Sequence, residues 1–243
     1  MANQLEITGL QVDFGGFKAV KDLSFSVARG ELLCLLGPNG AGKSTTLDLI
    51  CGKTMPTGGR IAFEGEDITF LPEYKRARCG VGRKFQVPSV FKELTVGENM
   101  EVARSQRSGL MATLRIFGSD MNGPIKAILQ RVGLFELRKE KAANLSHGQT
   151  QWLEIAMLLA QDSKLLLMDE PTAGMTIQET QKTAEIFNAL KGEHTIIVVE
   201  HDMQFVRKVA ERVTVLNQGS VLAEGSIAEI ETNAAVKTAY LGH

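Results

Sequence analysis

The chain has 243 residues, of which 44% are hydrophobic and 23% are charged, and its formal net charge is −1 at pH 7. This balance is typical of a folded globular protein, and the length suits one large domain or one domain with a small inserted subdomain. The near-zero net charge excludes a global basic field that would recruit nucleic acid or anionic lipid, so no nucleic-acid partner is expected.

The N-terminal third alternates between predicted strands and turns. Residues 5–7 and 23–27 show a period of two, and residues 32–36 form a continuous apolar run that suits a strand buried on both faces of a parallel sheet. A helix is predicted from Lys43 to Cys51, and Gly52 is placed to end it. A turn and a short strand at residues 60–63 follow.

A glycine-rich turn lies between the apolar run and the first predicted helix. Its sequence, GPNGAGKS, matches the phosphate-binding pattern GxxxxGK[ST] in full, and a strand before it with a helix after it is the context that the pattern requires. Glycines let backbone N–H groups converge on phosphate oxygens. Lys43 can reach the β- and γ-phosphates, and Ser44 can hold Mg²⁺ through its hydroxyl. Thr45 can donate a hydrogen bond from its N–H or hydroxyl on the side of the α-phosphate. The predicted phosphate-binding residues are Gly37, Pro38, Asn39, Gly40, Ala41, Gly42, Lys43, Ser44 and Thr45.

Two weaker features precede the middle of the chain. A basic cluster, Lys75, Arg76, Arg78, Arg83 and Lys84, is interpreted as a solvated face. The cysteines at positions 34, 51 and 79 form no CxxC pair, so each is expected to be a small packing residue in a reducing compartment.

No signal peptide is visible, and no apolar run approaches the roughly 18 residues of a membrane span.

Helical spacing replaces the β-branched runs from about residue 87 to residue 160. Pro124 is expected to start one helix, and residues 152–160 form another. The βα alternation then returns, with strands predicted at 165–168, 196–199 and 213–216 and helices at 178–190 and 203–209. The predicted fold is therefore an α/β domain with a core at 1–86 and 161–225, an inserted helical subdomain at 87–160 and a C-terminal tail at 226–243.

Two carboxylates follow the strand predicted at 165–168. Ligands of doubly wound sheets sit beyond the carboxyl ends of the strands, so Asp169 and Glu170 are expected beside the phosphate-binding turn. Asp169 can hold Mg²⁺, and Glu170 can polarise a water for attack on the γ-phosphorus.

Further motifs give the whole chain a resemblance to the ABC ATPases. Leu145–Gln149 (LSHGQ) resembles the family's LSGGQ signature, and the other motifs fall in the family's order. They are an aromatic loop at Phe14 and Gly15, a Q-loop at Phe85 and Gln86, a D-loop at residues 172–175 and a switch-histidine segment at residues 200–202. The resemblance implies a P-loop NTPase (RecA-like) core with a small antiparallel β subdomain and a helical insertion.

The resemblance also implies roles for individual residues, with ATP and Mg²⁺ as cofactors. Catalysis falls to Lys43, Gln86, Glu170 and His201, and metal binding to Ser44, Gln86 and Asp169. Phe14 is expected to stack on adenine, with Phe17 as the weaker candidate. Ser146, His147, Gly148 and Gln149 are expected to reach the ATP of a partner subunit. His147 departs from the glycine that is common in the signature, and the D-loop departs from the frequent SALD form.

A finer resemblance is carried by residues 82–86, 145–149, 151–155, 173–176 and 240–242. These stretches resemble the branched-chain amino acid and amide importers, and within them the first ATP-binding subunit of urea importers. It implies a second ATP-binding subunit, or a second copy, in a head-to-tail dimer. Transmembrane permeases and, indirectly, a periplasmic solute-binding protein complete the expected assembly, at the cytoplasmic face of the inner membrane. Urea is the expected cargo, with a branched-chain amino acid or another amide as the alternative. Two other classes remain open, a soluble ABC ATPase without a permease and another P-loop enzyme such as a kinase.

Overall fold

The computed structural model describes residues 3–83, 90–105 and 123–241. The strands in chain order are β1 (Asn3–Phe14), β2 (Phe17–Ala28), β3 (Leu32–Leu36), β4 (Gly58–Phe63), β5 (Glu66–Asp67), β6 (Val81–Arg83), β7 (Leu165–Asp169), β8 (Thr195–Val199), β9 (Arg212–Asn217) and β10 (Ser220–Gly225). The helices are α1 (Lys43–Cys51), α2 (Glu73–Cys79), α3 (Val96–Ser105), α4 (Pro124–Arg131), α5 (His147–Ala160), α6 (Ile177–Leu190), α7 (Met203–Val209), α8 (Ile227–Thr232) and α9 (Ala234–Leu241).

The central sheet has the strand order β10-β9-β3-β8-β7-β6. Strands β6, β7, β8, β3 and β9 run parallel, and β10 pairs antiparallel at the edge. The carboxyl ends of five neighbouring strands therefore lie along one edge. The predicted phosphate-binding turn follows β3, the carboxylate pair lies at the end of β7, and the switch segment follows β8, so the topology gathers these three motifs as a doubly wound sheet does.

A second sheet, with the order β2-β1-β4-β5, is antiparallel throughout. Its strands show the period of two expected from the sequence, because one face is buried and the other meets solvent. Strand β4 begins at Gly58, two residues before the prediction. Gly59 is placed so close to the backbone of Gly9 in β1 that a side chain would collide with it.

Strand β3 separates two hydrophobic cores. Leu33 and Leu35 face the antiparallel sheet and α1, whereas Leu32, Cys34 and Leu36 face the helical layer formed by α3, α4, α5, α6 and α7. All five residues are at most 1% exposed, which explains the continuous apolar run. The fold is thus the predicted P-loop NTPase core with an antiparallel β subdomain and a helical insertion.

Helix α5 starts at His147, five residues before the prediction. Ser146 caps it through a bond from the Gln149 N–H, and the Gln149 side chain accepts from the Ser146 N–H in return. This capping box places the predicted signature motif at the N-terminus of a 14-residue helix. Trp152 packs in the core side of α5, and its indole N–H donates to Thr183 Oγ1 at 2.9 Å.

The basic cluster is not the solvated face that was predicted. Arg76 is fully buried and donates hydrogen bonds to carbonyls of four residues, Leu49, Ile50, Thr69 and Leu71. Lys75 and Arg78 are exposed, as expected. The guanidinium of Arg76 therefore ties α2 to the C-terminal end of α1, where helix carbonyls lack intrahelical partners.

The cysteines divide into two kinds. Cys34 and Cys51 are buried, as expected, but Cys79 is exposed at the end of α2. The prediction that each cysteine packs in the core is therefore wrong for Cys79. Burial raises the pKa of the Cys34 thiol to about 12.

The C-terminal segment packs back on the core. Ser226 and Glu229 form a capping box that starts α8, and Ile230 and Val236 bury their side chains against the helical layer. None of the helices within the described ranges is long and apolar enough to cross a bilayer.

Candidate ATP-hydrolysis site

The turn between β3 and α1 wraps tightly because two of its glycines approach other backbone segments. A side chain at Gly37, which has φ +147°, would lie 2.2 Å from the Leu216 carbonyl oxygen. A side chain at Gly42, which has φ +98°, would lie 2.8 Å from the Ala19 carbonyl oxygen. The turn is therefore fixed from both sides, and its tip at Asn39 and Gly40 is exposed.

The N-terminus of α1 is open to an anion. Gly42 stands at the N-cap without a capping side chain, and the first turn contains no acidic residue. By contrast, side chains of Ser146, Thr176 and Ser226 cap α5, α6 and α8. The backbone N–H groups and the partial positive charge of α1 are thus left for a ligand.

Lys43 lies across the turn. Its Nζ donates to the carbonyls of Gly37 at 2.7 Å and Pro38 at 3.0 Å. Burial lowers the pKa of Lys43, while the carboxylates of Glu170 and Asp169 oppose that shift. The ammonium is therefore held by two carbonyls that a phosphate can replace as partners.

Ser44 and Asp169 meet below this turn. The Ser44 hydroxyl donates to Asp169 Oδ1 at 3.3 Å, and Asp169 is 5% exposed. Burial raises the pKa of Asp169, which the Ser44 hydrogen bond partly offsets. Asp169 Oδ2 has no hydrogen-bond partner among the described residues, and the only cation recorded near it there is the Arg83 guanidinium at 3.7 Å, beyond hydrogen-bond distance.

These residues fit Mg²⁺ as nucleotide-binding proteins hold it. The described part of the chain contains no cluster of three or more His, Cys, Asp and Glu side chains that could hold a metal by itself. Mg²⁺ in nucleotide sites typically binds one or two protein oxygens together with phosphate oxygens and water. A hydroxyl and a carboxylate 3.3 Å apart beside an open helix N-terminus match that requirement.

Arg83 at the end of β6 joins this region, which the sequence did not indicate. Its side chain is 7% exposed, pairs with Asp48 of α1 and lies 3.7 Å from Asp169 Oδ2. Arg83 was predicted to belong to a solvated face, and the structure contradicts this. Its guanidinium instead offsets the negative charge of two carboxylates at the edge of the site.

Glu170 and His201 face each other across the ends of β7 and β8. His201 Nδ1 is 3.6 Å from Glu170 Oε1, and both side chains are largely exposed, at 70% and 49%. Glu170 adopts a positive φ of 46° and donates its N–H to the Val199 carbonyl. This positive φ, directly after the last residue of β7, is a costly conformation for a residue other than glycine.

Glu200 fixes the two loops that carry this pair, which sequence reasoning missed. Its carboxylate is buried, at 1% exposure. Oε1 accepts the N–H and the hydroxyl of Thr172 at 3.1 and 2.6 Å, and Oε2 accepts the N–H groups of His201 and Asp202 at 3.0 and 3.4 Å. The signal in the sequence was an acidic residue at the end of an apolar strand, immediately before the histidine.

The aromatic candidates lie at the tip of the hairpin of β1 and β2. Phe14 and Phe17 are paired in register and are 52% and 66% exposed. Strand β2 then reaches the phosphate-binding turn, since Ala19 and Val20 border Gly42. Both rings are therefore exposed on the hairpin that borders the phosphate-binding turn, and Phe14 and Phe17 are both placed as candidates to stack on adenine.

The signature motif lies at the N-terminus of α5, in contact with the loop that follows β7. The Ser146 hydroxyl donates to Glu179 Oε1 at 2.7 Å, and the Gly148 N–H donates to the same oxygen at 3.2 Å. His147 Nε2 lies 3.0 Å from the Ala173 carbonyl oxygen of the predicted D-loop. The imidazole thus joins the signature to the D-loop, a contact that glycine at this position could not make.

One predicted residue cannot be placed. Gln86, expected to take part in catalysis and metal binding, lies outside the described residues, as do Lys84 and Phe85. The chain enters that segment from Arg83, whose side chain borders Asp169.

Comparison with known proteins identifies a common family. Residues 20–173 match the family described as ABC transporter. The high-affinity branched-chain amino acid transport ATP-binding protein LivG of Salmonella typhimurium is 39% identical over 248 residues, covering 98% of this chain and 97% of that protein.

Solved structures agree with the sequence comparison. The ADP conformation of MJ1267, an ATP-binding cassette of an ABC transporter, superposes with a TM-score of 0.86 at 28% identity and covers both chains in full. A dimeric post-hydrolysis state of the cassette MJ0796, bound to ADP and Pi, superposes with a TM-score of 0.74 at 25% identity, covering 92% of this chain and 98% of that one.

Proposed function

Because this chain belongs to the ABC transporter family and is the ATP-binding, ATP-hydrolysing subunit of a transporter, we propose that its hydrolytic site lies at the ends of β3, β7 and β8 and is completed by a second subunit. The observation that carries the proposal is the contact between Ser44 and Asp169 at the uncapped N-terminus of α1. It brings the metal-binding oxygens to the phosphate-binding turn.

The proposed reaction is in-line attack of water on the γ-phosphorus of ATP. Glu170 accepts the proton of the attacking water, and the bond to the ADP oxygen breaks. His201, 3.6 Å from Glu170, would contact the γ-phosphate and the attacking water together. Lys43 moves from its carbonyl partners to the β- and γ-phosphate oxygens, where it offsets the charge of the transition state. Bound Mg²⁺, held by Ser44, Asp169 and the predicted ligand Gln86, would supply neutralisation of phosphate charge.

The second half of the site would come from the signature motif of a partner. Ser146 and Gly148 lie at the N-terminus of α5, where a hydroxyl and backbone N–H groups favour an anion. A dimeric structure of the similar cassette MJ0796 with ADP and Pi supports a two-subunit arrangement. In that arrangement, ATP would bridge the phosphate-binding turn of one subunit and the signature motif of the other.

The proposed assembly is an importer at the cytoplasmic face of the membrane, with transmembrane permeases and a periplasmic solute-binding protein. LivG is named for high-affinity branched-chain amino acid transport, so a branched-chain amino acid is the cargo that the relatives support. They do not support urea, the cargo first expected from the sequence. The cargo assignment rests on similarity, because a nucleotide site carries no information about the solute.

A Glu170→Gln variant tests the catalytic proposal. It should bind ATP with parent affinity and release phosphate about 10²–10⁴ times more slowly, which is the usual contribution of a positioned general base. Glu185→Gln, an exposed carboxylate on α6 that pairs only with Lys182 among the described residues, is the control. Phosphate release by Glu170→Gln at the parent rate would remove this residue from the mechanism.

Uptake by intact cells tests the cargo. Cells that lack this chain should lose high-affinity uptake of radiolabelled leucine and keep uptake of urea, and the Lys43→Ala variant should fail to restore leucine uptake. Loss of urea uptake with unchanged leucine uptake would reverse the assignment.

A further inference from the structure

The signature motif already holds an anion from its own chain. Glu179, in the first turn of α6, places Oε1 within 2.7 Å of the Ser146 hydroxyl oxygen and 3.2 Å of the Gly148 nitrogen. These are the two donors that the proposed function assigns to the γ-phosphate of a partner's ATP. The inference that follows rests on that proposed function.

Glu179 divides its two oxygens between two tasks. Oε2 accepts the N–H and the hydroxyl of Thr176, both at 3.0 Å, and so completes the capping box of α6. Oε1 is left for the signature. The backbone bond from Thr176 and the side-chain bond from Ser146 lower the pKa of Glu179 to about 2, so the carboxylate is charged at neutral pH.

The space beside the signature is filled by this carboxylate. A side chain at Gly148 would lie 2.6 Å from Glu179 Oε1 and Cδ, so any larger residue there would displace the carboxylate from this position. A phosphate oxygen that binds the same two donors must occupy the position of Glu179 Oε1. Two anions cannot share those donors at hydrogen-bond distance without strong repulsion.

We propose that Glu179 is a positioning residue for the signature motif. The Glu179 carboxylate accepts hydrogen bonds from the Ser146 hydroxyl and the Gly148 N–H until the γ-phosphate of the partner's ATP displaces the carboxylate. The carboxylate keeps the signature loop ordered before the two subunits meet. Closure of the two subunits therefore requires tighter binding of the nucleotide than it would without Glu179, because the γ-phosphate must compete with an internal anion.

Glu179→Gln separates the two tasks. An amide has a single acceptor oxygen, so it can keep the Thr176 cap or the signature contacts but not both, and it carries no charge. Glutamine is accepted in capping boxes, so α6 should remain formed. Glu229→Gln is the matched control, because Glu229 makes the same capping box with Ser226 on α8.

The experiment is a titration of the isotope-labelled chain with inorganic phosphate at constant ionic strength, followed by the backbone amide NMR signals of Gly148, Gly40 and Gly42. In Glu179→Gln, the Gly148 signal should respond at about tenfold lower phosphate than in the parent, or about 1.4 kcal/mol. The Gly40 and Gly42 signals should respond equally in both. The Glu229→Gln control should match the parent at all three positions. A purely structural role for Glu179 would not increase the phosphate response.

Failure of the inference and failure of the proposed function give different results. Gly148 signals that respond at the same phosphate concentration in the parent and in Glu179→Gln, or in neither, overturn the role of Glu179. Gly40 and Gly42 signals that respond to neither phosphate nor ATP in the parent overturn the proposed phosphate-binding turn instead.

Discussion

The carboxylate of Glu200 should hold the two catalytic loops together, and Glu200→Gln tests this. The substitution keeps the size of the side chain and replaces one oxygen with an NH₂ group. If the remaining oxygen keeps the two Thr172 bonds, the NH₂ group then faces the N–H groups of His201 and Asp202, which lie 3.0 and 3.4 Å from Oε2 in the parent. Two partly buried donors thus lose their acceptor.

The magnitude follows from those two bonds. Hydrogen bonds to a charged group contribute about 1.5–3 kcal/mol each, and the 3.4 Å bond belongs at the low end. Neutralising the buried carboxylate removes part of its desolvation cost, which opposes the loss. We therefore expect a net decrease of about 2 kcal/mol in the free energy of unfolding. Glu170 and His201 should also lose their alignment, which should lower kcat about 10- to 100-fold with little change in ATP affinity.

Urea denaturation and steady-state phosphate release measure the two effects. Thr172→Val removes the 2.6 Å bond from the other loop, and the double variant gives the coupling energy, expected to exceed about 0.5 kcal/mol. Glu185→Gln on the surface should stay within about 0.5 kcal/mol of the parent. Parent stability together with parent kcat in Glu200→Gln would refute the assignment of Glu200 as the link between the loops.

Three other predictions follow from single residues. Lys43→Ala should weaken both ATP binding and hydrolysis, since Lys43 offsets phosphate charge in ground and transition states. If titration with a fluorescent ATP analogue showed the parent affinity, the assignment of the phosphate-binding turn would be contradicted. Arg76→Met should lower the free energy of unfolding by about 3 kcal/mol, because buried carbonyls lose their charged donor; a urea midpoint equal to that of the parent would contradict this. A thiol reagent at pH 8 should modify the exposed Cys79 in the native chain and leave Cys34 unmodified, since burial raises the Cys34 pKa to about 12. Mass spectrometry of the labelled peptides measures this, and modification of Cys34 before Cys79 would contradict the prediction.

The local pattern of the sequence predicted most elements of the core. Continuous apolar runs marked β3, β7 and β8, and helix α1 begins at Lys43 and ends at Cys51 as expected. The early start of α5 could also have been predicted, because Ser146 and Gln149 have the S-x-x-Q spacing of a capping box.

The remaining contacts join residues far apart in the chain, which local patterns cannot reveal. Arg76 reaches carbonyls more than 20 positions away in α1, and Arg83 on β6 reaches Asp169 on the neighbouring strand β7, more than 80 positions later in the chain. Glu179 has the visible spacing of a capping box with Thr176, but its contact with Ser146 depends on how α5 and α6 pack. Charge clustering in the sequence therefore predicted exposure where the fold supplied buried partners.

The central claim, an ATPase site shared between two subunits, is tested most directly by mixing two inactive variants. The Ser146→Arg variant should keep an intact phosphate-binding turn but fail to close over a partner's nucleotide. The Lys43→Ala variant should keep an intact signature motif but fail to bind ATP. A mixed pair then contains one intact composite site, so phosphate release should rise above the sum of the separate variants. If Ser146→Arg alone hydrolyses ATP at the parent rate in the presence of the permeases, the shared-site account is contradicted.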